Sequence, residues 1–206
     1  MSAVAAADVR DAGVPVSERG PSPRKVIISY GFWLFLLSDI IVFSAFFAAY
    51  AVLAGRDAGG PRGTQLFDRG HVLVETGCLL FSSFACAMMS VAIELRRRAL
   101  MVLGAAFTFA LGAAFLALEL GEFGALLARG ATPQRSAFLS AFYALVGLHG
   151  LHVATGLAWL VVMMAQAFTL GWRPMVLCRL ACFSLFWHAL DIVWIGVFTI
   201  VYLGAH

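Results

Sequence analysis

The amino-acid sequence predicts an all-α polytopic membrane protein whose five helices each cross the bilayer. Of its 206 residues, 62% are hydrophobic and 12% are charged, whereas soluble proteins have about 45–50% apolar and about 25% charged residues. The mean hydropathy is +0.93, and the apolar residues are concentrated in five long stretches. Such a chain cannot cover a water-facing surface with polar groups, which excludes a soluble enzyme, a nucleic-acid-binding module and a disordered protein.

Each of the five stretches exceeds the roughly 20 helical residues that a bilayer core requires. Residues 1–25 are polar and mixed in charge, and we predict that they form a mobile soluble tail before a transmembrane domain at 26–206. Hydrophobicity within the stretches does not alternate as it does in barrel strands, so the spans are helices. The predicted spans are 26–53, 71–95, 99–127, 137–170 and 176–203.

Charged residues and clusters of Gly and Pro set the ends of these spans. The first span follows Arg24 and Lys25 and ends at the Gly- and Pro-containing segment 55–63. The run Arg96–Arg98 separates the second span from the third. Segment 129–135, with its proline, precedes the fourth span, and segment 171–174 precedes the fifth.

The distribution of basic residues predicts the orientation in the membrane. With five spans, the N-terminal tail lies on the same side as the second and fourth loops. This side carries nine of the 14 Lys and Arg residues. Because basic residues are retained on the cytoplasmic side, we expect a cytoplasmic N-terminus and a C-terminus on the opposite side.

Eight carboxylic acid and histidine side chains lie inside the spans rather than at their ends, and a charge at the bilayer centre costs about 3 kcal/mol. Three pairs have the spacing i, i+3, which places both members on one helix face. We interpret the eight as hydrogen-bonding groups between helices or as contacts to lipid headgroups; a proton path, or haem ligation by His188 with His149 or His152, are alternatives. The eight are Asp39, Glu75, Glu119, Glu122, His149, His152, His188 and Asp191.

The helical rise predicts the depth of these groups. The three glutamates fall nearer the outer side, and the other five fall near mid-depth. We expect Asp39, one of the two central histidines and the His188/Asp191 pair to meet in one midplane cluster. The spacing of His188 and Asp191 also allows a local hydrogen bond that fixes the imidazole tautomer. Trp172, next to Arg173, and Tyr202, near the end of the last span, are expected to be interface anchors.

Small and apolar residues supply a further expectation about packing. Segment 103–117 is rich in Gly and Ala, including Gly104 and Gly112, and should allow close approach of a neighbouring helix. The four cysteines lack the spacing of a zinc site, and we interpret them as small buried residues. They are Cys78, Cys86, Cys178 and Cys182.

Several motifs resemble subunit III of the haem–copper respiratory oxidases. They are His149-Gly-Leu-His152 within its long helix, Trp187-His-Ala-Leu-Asp-Ile-Val-Trp194, Glu119-Leu-Gly-Glu122-Phe, and Asp39 where the family keeps a membrane-buried carboxylate. The resemblance covers about residues 31–204. Five spans, rather than the seven of many members, together with Asp39 and Val74-Glu75-Thr76, most resemble the bacterial cytochrome bo-type ubiquinol oxidase branch.

The resemblance implies a non-catalytic subunit of a proton-pumping terminal oxidase in the bacterial inner membrane, with its C-terminus in the periplasm. The complex would oxidise ubiquinol and reduce oxygen to water. Haem b, haem o and copper would belong to subunit I, so no catalytic, cofactor-binding or metal-binding residue is expected in this chain. Subunit I would be the main partner, beside subunits II and IV and bound phospholipid.

Three alternatives remain open on the sequence. An autonomous transporter or proton channel would use the intramembrane carboxylates as a pathway. A haem-binding membrane anchor would use the histidines as axial ligands. A cytochrome c oxidase subunit III would share the motifs with a different electron donor.

Overall fold

The structure, a computed structural model, describes residues 24–54, 69–171 and 173–203. All regular structure in these ranges is helical, and five helices are long and apolar enough to cross a membrane. The predicted tail lies outside the described residues up to position 23, as do the predicted loop at 55–63 and Trp172. The helices are α1 (Arg24–Leu53), α2 (Arg69–Glu94), α3 (Arg98–Ala128), α4 (Ala137–Leu170) and α5 (Pro174–Val197). The expected all-α class and the number of spans are confirmed.

The chain divides into two units within α1, at Met1–Phe35 and Leu36–His206. In the described part of the first unit, the ring centroids of Phe32 and Phe35 are 5.7 Å apart. Tyr30 and Trp33 are exposed, 67% and 51% respectively. Large exposed apolar side chains are suited to hydrocarbon, because lipid tails are as apolar as they are.

The part of α1 in the second unit is buried along a single stripe. Leu36, Phe43 and Tyr50 are at most 4% exposed, and their seven-residue spacing keeps them on one face of the helix. The ring of Tyr50 lies 5.9 Å from that of Phe138 on α4. Ile41, on another face, is 69% exposed. The stripe therefore provides the packing of this segment, and its remaining faces are free to contact lipid or a partner.

Local backbone chemistry sets the helix ends. Gly130 has φ +73° after α3, and the amide of Ala131 donates to the carbonyl of Leu126 at 3.0 Å. This is the Schellman ending, in which a left-handed residue completes the last turn. Ser136 then caps α4 by accepting a hydrogen bond from the amide of Leu139 at 3.1 Å. Beyond α5, the chain continues as a π-helix at Phe198–Leu203.

Glycines allow α3 to approach its neighbours closely, as the sequence predicted for this segment. A Cβ placed on Gly104 would lie 2.9 Å from Cβ and 3.0 Å from Cα of Met89, so α2 and α3 are nearly in backbone contact. A Cβ on Gly112 would lie 2.9 Å from the indole of Trp187, and one on Gly156 of α4 would lie 3.0 Å from it. The indole of α5 therefore lies between glycines of α3 and α4.

Candidate functional site

The buried polar side chains form several separate contacts between helices. Asp39 of α1 and His152 of α4 approach each other, with 3.9 Å between Oδ2 and Nε2, and each side chain is about one-fifth exposed at 22% and 21%. Nδ1 of His152 lies 2.8 Å from the carbonyl of Leu148. Because a carbonyl only accepts, this nitrogen carries the hydrogen and Nε2 faces the carboxylate. The contact becomes an ion pair when the imidazole is protonated.

Ser83 of α2 joins the polar pair of α5. Its hydroxyl is 3.2 Å from Nδ1 of His188, and it also hydrogen-bonds the carboxyl group of Asp191. The remaining oxygen of Asp191, Oδ1, is buried without a hydrogen-bond partner among the described residues. The imidazole is thus oriented through a serine 105 residues away in sequence, rather than by the hydrogen bond to Asp191 that the spacing suggested.

The single midplane cluster expected from the sequence is wrong in its extent. Asp39 and His152 are brought together, but the hydrogen bond of His188 goes to α2. The face of α5 that lies towards Asp39 consists of Phe186, Ala189, Leu190 and Val193. His188 and Asp191 lie on a different face of α5 from these four residues. The predicted set is therefore divided between two sites.

His149 is buried in an aromatic environment. Its ring lies 5.8 Å from Phe115 in a T-shaped arrangement, 5.1 Å from Trp194 and 6.3 Å from Phe43. The residue is 0% exposed, and neither ring nitrogen has a hydrogen-bond partner among the described residues. Through these rings the imidazole of α4 packs against three other helices, α1, α3 and α5.

The three glutamates lie close enough to interact electrostatically. Glu75 is 0% and Glu119 is 1% exposed. Nε2 of His71, one turn earlier on α2, is 3.4 Å from Oε1 of Glu75. Both oxygens of Glu75 and Oε2 of Glu119 lack hydrogen-bond partners within the described ranges. These atoms can accept hydrogen bonds from buried water.

Gly150 explains how the carboxyl group of Glu119 fits between α3 and α4. A Cβ at this position would lie 2.6 Å from Oε1 of Glu119. The absence of a side chain lets the carboxyl group rest on the backbone of α4. A Cβ placed on Gly147, one turn earlier, would lie 3.7 Å from the ring of Phe123, an ordinary van der Waals distance, so the tight contact does not extend to that turn.

Tyr202 is not the interface anchor that the sequence predicted. It is 3% exposed, and its hydroxyl donates to Oε2 of Glu122 at 2.9 Å. It lies in the π-helix after α5, and this hydrogen bond joins it to α3. A terminal tyrosine in an apolar span gives no sequence signal that separates these two roles.

Hydroxyl groups of α2 form further hydrogen bonds that sequence reasoning missed. The indole of Trp187 donates to Ser82 at 3.0 Å, and that of Trp194 donates to Thr76 at 3.0 Å. Ser90 donates to Ser184 at 3.0 Å. All three connect α2 with α5, and with Ser83 they form a line of polar contacts along the interface of these helices.

The buried polar side chains described here form hydrogen bonds between pairs of helices. Within residues 24–54, 69–171 and 173–203, no group of three or more His, Cys, Asp and Glu side chains is placed to hold a metal ion. The four cysteines are free, and three of them are buried. The polar groups hydrogen-bond across helix interfaces, where an unsatisfied buried group is costly.

Comparison of the sequence with known proteins supports the family resemblance that the histidine and tryptophan motifs indicate. A sequence model of the cytochrome c oxidase subunit III family matches residues 19–206. The chain belongs to this family. The resemblance drawn from the histidine and tryptophan motifs is therefore confirmed, and the five apolar helices make the member a multi-pass membrane protein.

Among its relatives, the chain is similar to cytochrome bo(3) ubiquinol oxidase subunit 3 of Pseudomonas aeruginosa. The two are 52% identical over 176 residues, which are 84% of this chain and 83% of the relative. The subunit of the same name from Pseudomonas putida is 50% identical over 173 residues, with 84% of each chain covered. Quinol oxidase subunit 3 of Bacillus spizizenii is 41% identical over 175 residues, covering 84% of this chain and 85% of the relative.

Replacing Ser83 by alanine is expected to lower the free energy of unfolding by about 0.5–1.5 kcal/mol. The change leaves His188 and Asp191 without the hydroxyl that they share. Unfolding of the purified protein by sodium dodecyl sulfate in mixed micelles measures the effect. Ser44→Ala is the control, because this exposed hydroxyl donates to the carbonyl of Ile40 in its own helix and, among the described residues, to no other helix. Equal stabilities for the two variants would contradict a role for Ser83 in joining α2 and α5.

Proposed function

We propose that the chain is subunit III of a bacterial cytochrome bo-type ubiquinol oxidase. Its role is to stabilise subunit I during turnover, to hold phospholipid and to support proton uptake on the cytoplasmic side. The observation that carries the proposal is the 52% identity over 84% of the chain to a protein named as this subunit. The redox reaction belongs to the complex, and the chain contributes structure to it.

The packing of the chain supports a stabilising role. Its polar side chains bond one another across helices, as the contacts of Ser82, Ser83 and Thr76 with α5 illustrate. A rigid bundle of this kind can support a neighbouring subunit without taking part in its chemistry. The exposed apolar faces of α1 supply surface for partners and lipid.

The proposal assigns haem b, haem o and copper to subunit I. Subunits I, II and IV are the protein partners, with subunit I as the main contact. The complex lies in the bacterial inner membrane, and the basic residues favour a cytoplasmic N-terminus and a periplasmic C-terminus. The side chains proposed to be structural or to contact lipid are Asp39, Glu75, Glu119, Glu122, His149, His152, His188 and Asp191.

Subunit III of a cytochrome c oxidase is the second candidate, because the matching family model carries that description. The two candidates differ in the electron donor and in the haem of subunit I.

Affinity purification of the tagged chain in mild detergent distinguishes these functions. We expect haems b and o, seen in the reduced-minus-oxidised spectrum and by haem extraction, to copurify with a large multispan partner. Haem A with a partner that binds cytochrome c would favour the second candidate. A stable chain without partner or haem would contradict both and favour an autonomous transporter, and a haem lost on His188→Ala from the isolated chain would favour a haem-binding anchor.

A further inference from the structure

A long apolar groove runs between α2 and α3 on the surface of the second unit. Its volume is about 590 Å³, and every side chain that lines it is apolar. Phe84 and Phe107 form exposed walls, at 67% and 60% exposure, while Ala85 and Gly104 form part of the floor. The small residues at the floor make the groove deep, because α2 and α3 are in near backbone contact beneath it.

The groove is longer than the hydrocarbon part of one bilayer leaflet is thick. Its lining extends along α2 from Phe81 to Leu95, which is roughly 21 Å at the helical rise of 1.5 Å per residue. Half of a hydrocarbon core is about 15 Å thick. An acyl chain that enters at one end of the groove would therefore remain within it through the depth of its leaflet.

Three arginines stand at one end of the groove. Leu95 and Leu100, which line it, flank Arg96, Arg97 and Arg98 in sequence. All three arginines are exposed, and their side chains make no ion pair within the described ranges. Glu94 is the one acidic residue beside them, so the segment has a net charge of +2.

The backbone at this end also favours an anion. Arg97 is the N-cap of the 31-residue α3, and no side chain caps the helix. Its first amide groups therefore remain as donors at the positive end of the helix dipole. Arg96 has φ +54°, a conformation that costs a non-glycine residue about 1–2 kcal/mol. A glycine would remove this strain but would also remove a charge.

We propose that this groove binds an anionic phospholipid, with one acyl chain between α2 and α3 and the phosphate at Arg96–Arg98. The apolar lining selects a hydrocarbon chain, and the arginines with the uncapped helix end select a negative headgroup. The inference refines the lipid-holding part of the proposed function by giving the lipid class and its location. By the orientation proposed above, the site lies in the cytoplasmic leaflet.

Lipid retention by the double variant Arg97→Gln/Arg98→Gln tests the proposal. The tagged protein, with the partners it carries, is reconstituted in nanodiscs of phosphatidylglycerol and phosphatidylcholine, re-extracted, and analysed by native mass spectrometry. We expect the wild-type protein to retain phosphatidylglycerol, and retention to fall by about fivefold for each arginine removed. Filling the groove by Ala85→Trp should lower retention with no change in charge.

Arg173→Gln is the matched control, because Arg173 is the uncapped N-cap of α5 on the same side of the membrane and does not line the groove. We expect it to retain lipid as the wild type does. An equal loss in this control, or equal retention of phosphatidylcholine, would overturn the proposal. Haem content, measured on the same samples, reports separately on the oxidase assignment: its absence would contradict that function while leaving the lipid result interpretable.

Discussion

Replacing Trp187 by alanine should lower the free energy of unfolding by about 3–5 kcal/mol, the usual cost of truncating a buried aromatic side chain. The indole is 1% exposed and lies between Gly112 and Gly156. Its truncation leaves a cavity where α3, α4 and α5 meet. It also removes the donor that bonds Ser82 of α2.

Denaturation by sodium dodecyl sulfate in mixed micelles, followed by the loss of helical circular dichroism, measures this change. Trp33→Ala is the matched control, since Trp33 is 51% exposed on α1 and its loss should change the free energy by less than about 0.5 kcal/mol. If both variants lost the same stability, Trp187 would not be the central packing residue that the structure indicates.

Gly104→Ala is expected to destabilise the protein, whereas Gly121→Ala on the same helix should stabilise it. The new Cβ at Gly104 would lie 2.9–3.0 Å from backbone and Cβ atoms of Met89, so α2 and α3 must separate at a cost of about 1–3 kcal/mol. At Gly121 nothing lies within 4 Å of the new atom. There alanine gains its helix propensity, up to about 1 kcal/mol over glycine.

The opposite signs make this pair of variants informative. A general effect of alanine on α3 would move both in the same direction, and only the contact with Met89 separates them. The midpoint of denaturation of each variant, compared with the wild type, gives the sign directly. Stabilisation by Gly104→Ala would mean that α2 and α3 are not in the close contact described above.

The sequence was sufficient to predict the helices because lipid requires long apolar segments with internally bonded backbones. The arginines at 96–98 and the Arg, Gly and Pro residues of 129–135 indicated the loops, because charged residues are excluded from the apolar core of the membrane. The close approach at Gly104 and Gly112 was also predictable, since small residues are the means by which helices meet in a membrane. These features are local, and a single sequence carries them.

The partners of the polar groups were not predictable. Ser83 and Thr76 resemble other hydroxyl residues in apolar spans, and their bonds to α5 join residues 105 and 118 positions apart. Gly150 gave no sign of the carboxyl group that rests on it. The expectation of a single cluster failed because depth along a helix is readable from sequence, whereas the face that a neighbour occupies is not.

The contact between Asp39 and His152 has a consequence for how α1 can turn about its own axis. The apolar stripe of Leu36, Phe43 and Tyr50 gives limited resistance to rotation, because another apolar face of α1 could take its place and lipid tails would accept the stripe. Rotation of α1 would carry Asp39 away from its imidazole and leave a carboxyl group facing lipid tails. The polar contact therefore fixes the rotation of α1 about its own axis. It thereby also sets which face of α1 meets its surroundings.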